Sequence, residues 1–205
     1  MGNRLDYDII VSLVPVGAKV LDLGCGDGEL LARLVSERQA QARGVEINEA
    51  KVRACIARGL SVRQGNIEEG LADFRSGAFD YVILSDTIAY LNTPAPLVRE
   101  MLRVGRHAIV SFENASYIGA RLRFLRGEGF GPTLASGEPR ARAITPAHFR
   151  EFVGVLPSAK VEQVLFVRTD ESLPPMPIGL EIEVTSEALA RIMVYVMGSS
   201  GVALP

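Results

Sequence analysis

Residues 20–30, VLDLGCGDGEL, set Gly24, Gly26 and Gly28 at alternate positions after a short apolar run that contains Asp22. A backbone that bare permits a tight turn and lets a ligand touch the main chain. If the run is a strand and Gly28 opens a helix, the free N–H groups of that helix face the ligand too. A dinucleotide loop is spaced G-x-G-x-x-G, its third glycine letting helix and strand pack closely. Here the spacing is G-x-G-x-G around Cys25 and Asp27, and a carboxylate at position 27 would repel a pyrophosphate. Asp22 suits a cation better than an anion, and no Gly-Lys-Ser/Thr follows, which excludes a Walker phosphate loop. Glu46, in GVEIN, ends the next apolar run, where its two oxygens can accept from both ribose hydroxyls. Together these residues fit an adenosine that carries a zwitterionic amino acid instead of phosphates.

Other residues with chemical capacity follow later apolar runs. Asp86 and Tyr90 come after FDYVILS, and Glu113, Asn114 and Tyr117 come after HAIVSF. Asp86 and Glu113 could orient or activate an acceptor, although carboxylates at strand ends also cap helices. His148 reads as a surface residue in a first helical turn, and His107 as a strand residue with a local partner. Arg121, Arg123, Arg126, Arg140 and Arg142 make the later segment basic, the usual pattern of a solvated face. No metal-ligand constellation is present.

Alternating elements must position these groups. Strands are expected at 18–23, 42–47, 60–64, 79–85 and 107–112, with helices from Gly28 to about Glu37, over 49–58 ending at Gly59, and over 94–104. Apolar strands spaced by helices of this kind predict an α/β, doubly wound, mainly parallel sheet covered on both faces. Thr145-Pro146 predicts an N-cap and a helix to about Val153, and strands at 161–168 and 190–197 would complete seven. Residues 114–143, basic and then rich in glycine and proline, predict a surface loop that serves as a lid or binding element. One domain over 1–205 is the expected organisation.

The net charge of −2 gives no basic field for nucleic acid or anionic lipid, and no aromatic-basic interleave grips single strands. Cys25 and Cys55 form no CxxC, and a reducing cytoplasm is the simpler reading of two cysteines this far apart. The N-terminal MGNRLD lacks the apolar core of a signal peptide, and position 6 is Asp where myristoylation needs Ser or Thr. No apolar run approaches the ~20 residues of a membrane span.

VLDLGCGDGEL resembles the first motif of the class I S-adenosylmethionine-dependent methyltransferases, and Glu46 matches their ribose-binding acid. The resemblance implies a cofactor site of Asp22, Gly24, Cys25, Gly26, Gly28 and Glu46. It further implies Asn66 beside the adenine, Ile47 and Ile67 on its two faces, and Ser85 flanking the methionine portion. S-adenosylmethionine is the implied cofactor, S-adenosylhomocysteine the product, and a small molecule the acceptor. The motifs of amino-group and cytosine C5 nucleic-acid methyltransferases are missing.

A narrower likeness covers roughly Leu5 to Asn114. The runs GVEINEAKVRACIARGLSVRQGNIEEGLADF and MLRVGRHAIVSFEN closely resemble the MetW family of methionine biosynthesis proteins. That family's Gln-Thr pair after the fourth strand is Asp86-Thr87 here, and its Pro-Asn-Phe-Gly-His-Trp-like segment is replaced by ENASYIGARLRF. The resemblance implies either methyl transfer to a small molecule or a non-catalytic partner of a homoserine O-acyltransferase that binds S-adenosylmethionine.

Overall fold

The computed structural model describes residues 4–127, 141–157, 159–167 and 192–199. The chain order is α1 (Leu5–Leu13), β1 (Lys19–Leu23), α2 (Glu29–Arg38), β2 (Gln41–Glu46), α3 (Glu49–Ala57), β3 (Val62–Gln64), β4 (Phe79–Ser85), α4 (Pro94–Val104), β5 (Gly105–Glu113), α5 (Ile118–Leu125), α6 (Pro146–Gly154), β6 (Ala159–Val167) and β7 (Ile192–Ser199). The strands form one seven-stranded sheet in the order β3-β2-β1-β4-β5-β7-β6. β1 to β5 pair in parallel, and β7 runs antiparallel between β5 and β6. The expected doubly wound, mainly parallel sheet is the one found.

Period-2 alternation sorts each buried strand between two apolar layers. Leu21, Leu23, Val82, Leu84 and Val110 face a layer that contains Val98 and Met101 of α4 and Phe149 of α6. Val20, Ile83 and Ile109 face the other layer, with Ile10 and Val11 of α1 and Leu30 and Leu34 of α2. Both faces are thus covered, which explains the near-continuous apolar runs of β1 and β4.

Strand order reverses between β1 and β4, so the ligand crevice of such a sheet opens beyond the carboxyl ends of these two strands. Helix starts are fixed locally. Asn48 Oδ1 accepts from Ala50 N and Lys51 N to open α3, and Thr145 Oγ1 accepts from His148 N to open α6.

Three readings change. The third strand is shorter than expected, Val62–Gln64, and the fifth is longer, Gly105–Glu113. Part of the segment expected to be loop is helical, because Ile118, Ala120 and Leu122 bury along α5. The N-terminal helix α1 carried no clear sequence signal, having neither a side-chain cap nor a strong amphipathic stripe. The glycine- and proline-rich stretch at 128–140, Arg140, and positions 168, 190 and 191 of the late strands lie outside the described residues.

Candidate active site

The chain leaves β1 at Leu23, and both Gly24 N (2.8 Å) and Cys25 N (3.2 Å) donate to the Val45 carbonyl of β2. This ties the loop to the neighbouring strand. Gly24, Gly26 and Gly28 have φ of +74°, +57° and +79°, the left-handed region that favours glycine. A Cβ on Gly24 would stand 2.8 Å from Thr87 Oγ1, and one on Gly28 would stand 2.6 Å from Leu60 Cδ1. A Cβ on Gly26 would meet nothing within 4 Å. The outer glycines therefore permit packing, while Gly26 borders open space.

Glu46 closes the loop from β2. Its Oε2 accepts from Gly26 N (2.9 Å) and its Oε1 from Asn48 N (2.8 Å). The carboxylate is fixed in orientation and buried, yet each oxygen has further lone-pair capacity. Asp22 lies one strand away. Burial pushes its carboxyl up to about 7, with Glu46 adding to the shift and Arg4 opposing it.

The ends of β4 and β5 form a second polar group. Asp22, Ser85 and Ser111 share the sheet face of Val20, Ile83 and Ile109, which is the α1 side. There the apolar strand face turns polar, and α1 supplies the complement. Asp6 is 1% exposed and receives a forked pair from Arg4, Nε to Oδ1 at 3.1 Å and Nη2 to Oδ2 at 3.0 Å. Ser85 Oγ donates to Asp6 Oδ2 at 2.9 Å and accepts from Arg4 Nη2 at 3.1 Å. Ser111 Oγ lies 3.1 Å from Ser85 Oγ and 3.4 Å from Asp6 Oδ2. The Arg4 guanidinium also covers the Tyr7 ring, 4.5 Å from its centroid. Burial works against the Arg4 charge, and the Asp6 interaction more than offsets it, so Arg4 holds its proton more tightly than usual.

Asp86 follows Ser85 with φ +51°, uncommon for a residue with a side chain. Its N–H donates to the Ser111 carbonyl at 3.0 Å, which holds the bend in place. Burial pushes the Asp86 carboxyl up to about 6; Arg4 opposes the shift and Glu113 reinforces it.

The structure brings Asp22, Gly24, Cys25, Gly26, Gly28 and Glu46 together as one edge, and Ser85, Asp86 and Glu113 as the adjoining one. Ile47 is 65% exposed beside Glu46, free to offer an apolar face, whereas Ile67 is 8% exposed and packs in the α4 layer. Asn66 caps a single helical turn, its Oδ1 accepting from Glu68 N at 3.0 Å. Asn114 is buried and binds Ser116 N and Oγ, at 2.9 and 2.7 Å. Tyr90 is half exposed, Tyr117 precedes α5, and His148 is exposed in α6. His107 sits at the other end of its strand, paired with Glu162 Oε2 at 2.9 Å and stacked on Tyr81, away from the crevice. Arg142 binds the Asn92 carbonyl at 2.8 Å.

Arg4, Asp6, Tyr7 and Ser111 were not found by sequence reasoning. One signal existed: Asp22, Ser85 and Ser111 are each a polar residue closing the α1-facing side of an otherwise apolar strand. Among the described residues there is no cluster of His, Cys, Asp and Glu fit to hold a metal ion, and no helix long and apolar enough to cross a membrane.

Strand order, the antiparallel β7 and the glycine loop at the switch point define a class I methyltransferase fold. Solved structures agree on that fold. An S-adenosylmethionine-dependent methyltransferase from Mesorhizobium loti superposes with a TM-score of 0.67 at 17% identity, covering 96% of this chain and 98% of that one. The [4+2]-cyclase SpnF superposes with a TM-score of 0.65 at 15% identity, over 94% of this chain and 79% of that one. The family profile described as methionine biosynthesis protein MetW matches residues 4–136, and the chain belongs to that family.

Among curated relatives, a bifunctional methionine biosynthesis protein MetXA/MetW of Rhodopirellula baltica is 35% identical over 184 residues, 82% of this chain and 29% of that protein. A ubiquinone biosynthesis O-methyltransferase of Xanthomonas axonopodis pv. citri is 26% identical over 160 residues, 73% of this chain and 62% of that enzyme. The chain thus spans less than two thirds of the length of either relative.

Proposed function

We propose that the protein binds S-adenosylmethionine at the β1–β2 edge and transfers its methyl group to a small molecule held over the ends of β4 and β5, in methionine biosynthesis. The observation that carries this reading is the Glu46 carboxylate, fixed between the Gly26 and Asn48 amides beside the open space at Gly26. A ligand with a vicinal diol and no phosphate suits that pairing.

Glu46 would hold the ribose hydroxyls, and the backbone from Gly24 to Gly28 would lie against the ligand. Ile47 would offer the adenine an apolar face and Asn66 a polar neighbour, with Ile67 holding that turn from the core. Asp22 and Arg4 supply opposite charges for the ammonium and carboxylate of the amino-acid portion. Ser85 is oriented by Asp6 and Arg4. The cofactor, when bound, brings an activated methyl group and its own leaving group. The protein's part is alignment and exclusion of water. Asp86, with its raised proton affinity at the acceptor edge, can take a proton from an acceptor that arrives protonated.

Incubation with methyl-labelled S-adenosylmethionine and fractionated metabolite extracts tests the reaction. Label in a small molecule, with matching S-adenosylhomocysteine, supports it. Absence of both from every fraction contradicts it.

A second reading is a non-catalytic S-adenosylmethionine-binding partner of a homoserine O-acyltransferase. The relative that combines MetXA and MetW in one bifunctional chain supports it, and the cyclase that shares the fold illustrates that this architecture also serves other chemistry. Under this reading, adding the protein to the purified acyltransferase changes the acylation rate, and S-adenosylmethionine alters that change.

A further inference from the structure

The carboxylate of Glu68 joins two parts of the crevice that the sequence keeps 24 positions apart. Glu68 stands in the single helical turn that Asn66 caps, its own N–H donating to Asn66 Oδ1 at 3.0 Å. Its side chain reaches out of that turn to the start of α4. Oε1 accepts from Asn92 N at 2.7 Å and from Thr93 N at 2.9 Å, and Oε2 accepts from Asn92 Nδ2 at 2.9 Å. Thr93, at the N-cap of α4, makes no side-chain cap bond of its own. Glu68 therefore satisfies two main-chain amides just ahead of the helix, where negative charge also suits the helix dipole. The Thr93 amide, then the Asn92 groups, hold its carboxyl below the usual range, so the clasp is ionised at neutral pH.

The residues between β4 and α4, 86–93, are the acceptor loop of the proposed reaction and carry Asp86 and Tyr90. The start of the loop lies against the glycine loop, since a Cβ on Gly24 would stand 2.8 Å from Thr87 Oγ1. Its middle is held by Arg142, whose N–H donates to the Ala89 carbonyl and whose Nη2 donates to the Asn92 carbonyl, both at 2.8 Å. Ile88 and Leu91 bury in the layer that also holds Ile67 and Leu71. The loop thus meets the cofactor edge at both ends, at Thr87 by packing and at Asn92 and Thr93 by charge-assisted hydrogen bonds.

We propose that Glu68 is a positioning residue that couples the adenine turn to the acceptor loop, so that a ligand at the cofactor edge orders the acceptor edge. A base resting beside Asn66 restrains the turn. The restraint passes on because Glu68 is bonded at both ends, by its main chain to Asn66 and by its side chain to Asn92 and Thr93. By linkage, an acceptor seated on the loop strengthens cofactor binding by the same factor. The clasp stands on its hydrogen bonds alone; the coupling rests on the proposed S-adenosylmethionine site.

The test is amide hydrogen exchange on the full chain, with and without saturating S-adenosylmethionine, in the parent, Glu68→Ala and Glu68→Gln. Glu68 is only half-buried, so Glu68→Ala removes the clasp without opening the core. Glutamine keeps an acceptor for both main-chain amides, and its NH2 can meet the oxygen of a turned Asn92 amide. Without ligand, Glu68→Ala should quicken exchange over 86–93 by about tenfold and leave β4 and the later turns of α4 unchanged. With ligand, the parent and Glu68→Gln should slow at both 64–69 and 86–93, whereas Glu68→Ala should slow at 64–69 alone. Loop protection in Glu68→Ala equal to the parent's would overturn the coupling. Exchange quickened alike across β4 and all of α4 would mark a structural role only, and would also sink the proposal. Should the parent fail to bind S-adenosylmethionine while Glu68→Ala still loosens the loop, the clasp stands and the proposed cofactor fails.

Discussion

The two edges of the crevice are assembled in different ways. At the glycine loop, Glu46 reaches Gly26 across 20 positions and Asn48 across two. Over β4 and β5, Asp6 reaches Ser85 across 79 positions and Ser111 across 105. The first edge consists of one strand–loop–helix unit and the strand that follows. The second requires that an N-terminal helix be laid over strands made much later. A site written in one supersecondary unit keeps its spacing in the sequence, whereas a site made by topology does not.

Paired glycine substitutions divide packing from binding at the first edge, and carry the largest expected effect. Gly28→Val should destabilise the fold by about 3 kcal/mol, combining overpacking against Leu60 and Cys55 with left-handed strain. At Gly26→Val the added Cβ meets no protein atom, so the left-handed strain that both positions share is the main cost, about 2 kcal/mol, yet S-adenosylmethionine binding should weaken by about a hundredfold. Urea unfolding and titration calorimetry on both variants would show whether the loop divides this way. Gly26→Val binding as tightly as the parent would break the distinction.

Glu46→Gln sharpens the same edge. Glutamine keeps the shape, but its amide nitrogen cannot accept, so either the Gly26 or the Asn48 N–H loses its partner. Stability should fall by about 2 kcal/mol, and ligand affinity by about tenfold. At the second edge, Asp6→Asn should cost only about 1 kcal/mol, because Arg4 is partly solvated, with 36% of its side chain exposed. Its diagnostic consequence is on binding, since Arg4 loses the carboxylate that fixes it. An unchanged affinity would remove α1 from the site.

A pH slope is expected as well. Asp22 and Asp86 are raised to about 7 and about 6, so the folded chain holds protons that the unfolded chain releases near 3.8. Their contribution is fully present below that lower value and is lost as pH rises through about 6 and then about 7. The lowered carboxyls Glu37, Glu68 and Glu100 act below 4.5, outside this window. Urea midpoints should therefore be higher near about pH 5 than near about pH 8, and Asp22→Asn should flatten most of the difference.

The fold was legible because the apolar runs of β1 and β4 and the caps at Gly59 and Thr145 are local signals. The glycine loop and Glu46 were legible for the same reason. Ile67 was named as an adenine face by the family resemblance alone, and its burial in the α4 layer is a matter of packing that no local pattern shows. Arg4 and Asp6 were not legible, because only the crossing of α1 over β4 and β5 gives them a role.

The central claim is that the Gly24–Gly28 loop and Glu46 form a site for an adenosine that carries an amino acid. Calorimetric titration of the reduced protein with S-adenosylmethionine, and separately with NAD, tests it most directly. Micromolar binding of S-adenosylmethionine with none of NAD is the predicted result. Binding of NAD alone, or of neither ligand, would contradict it.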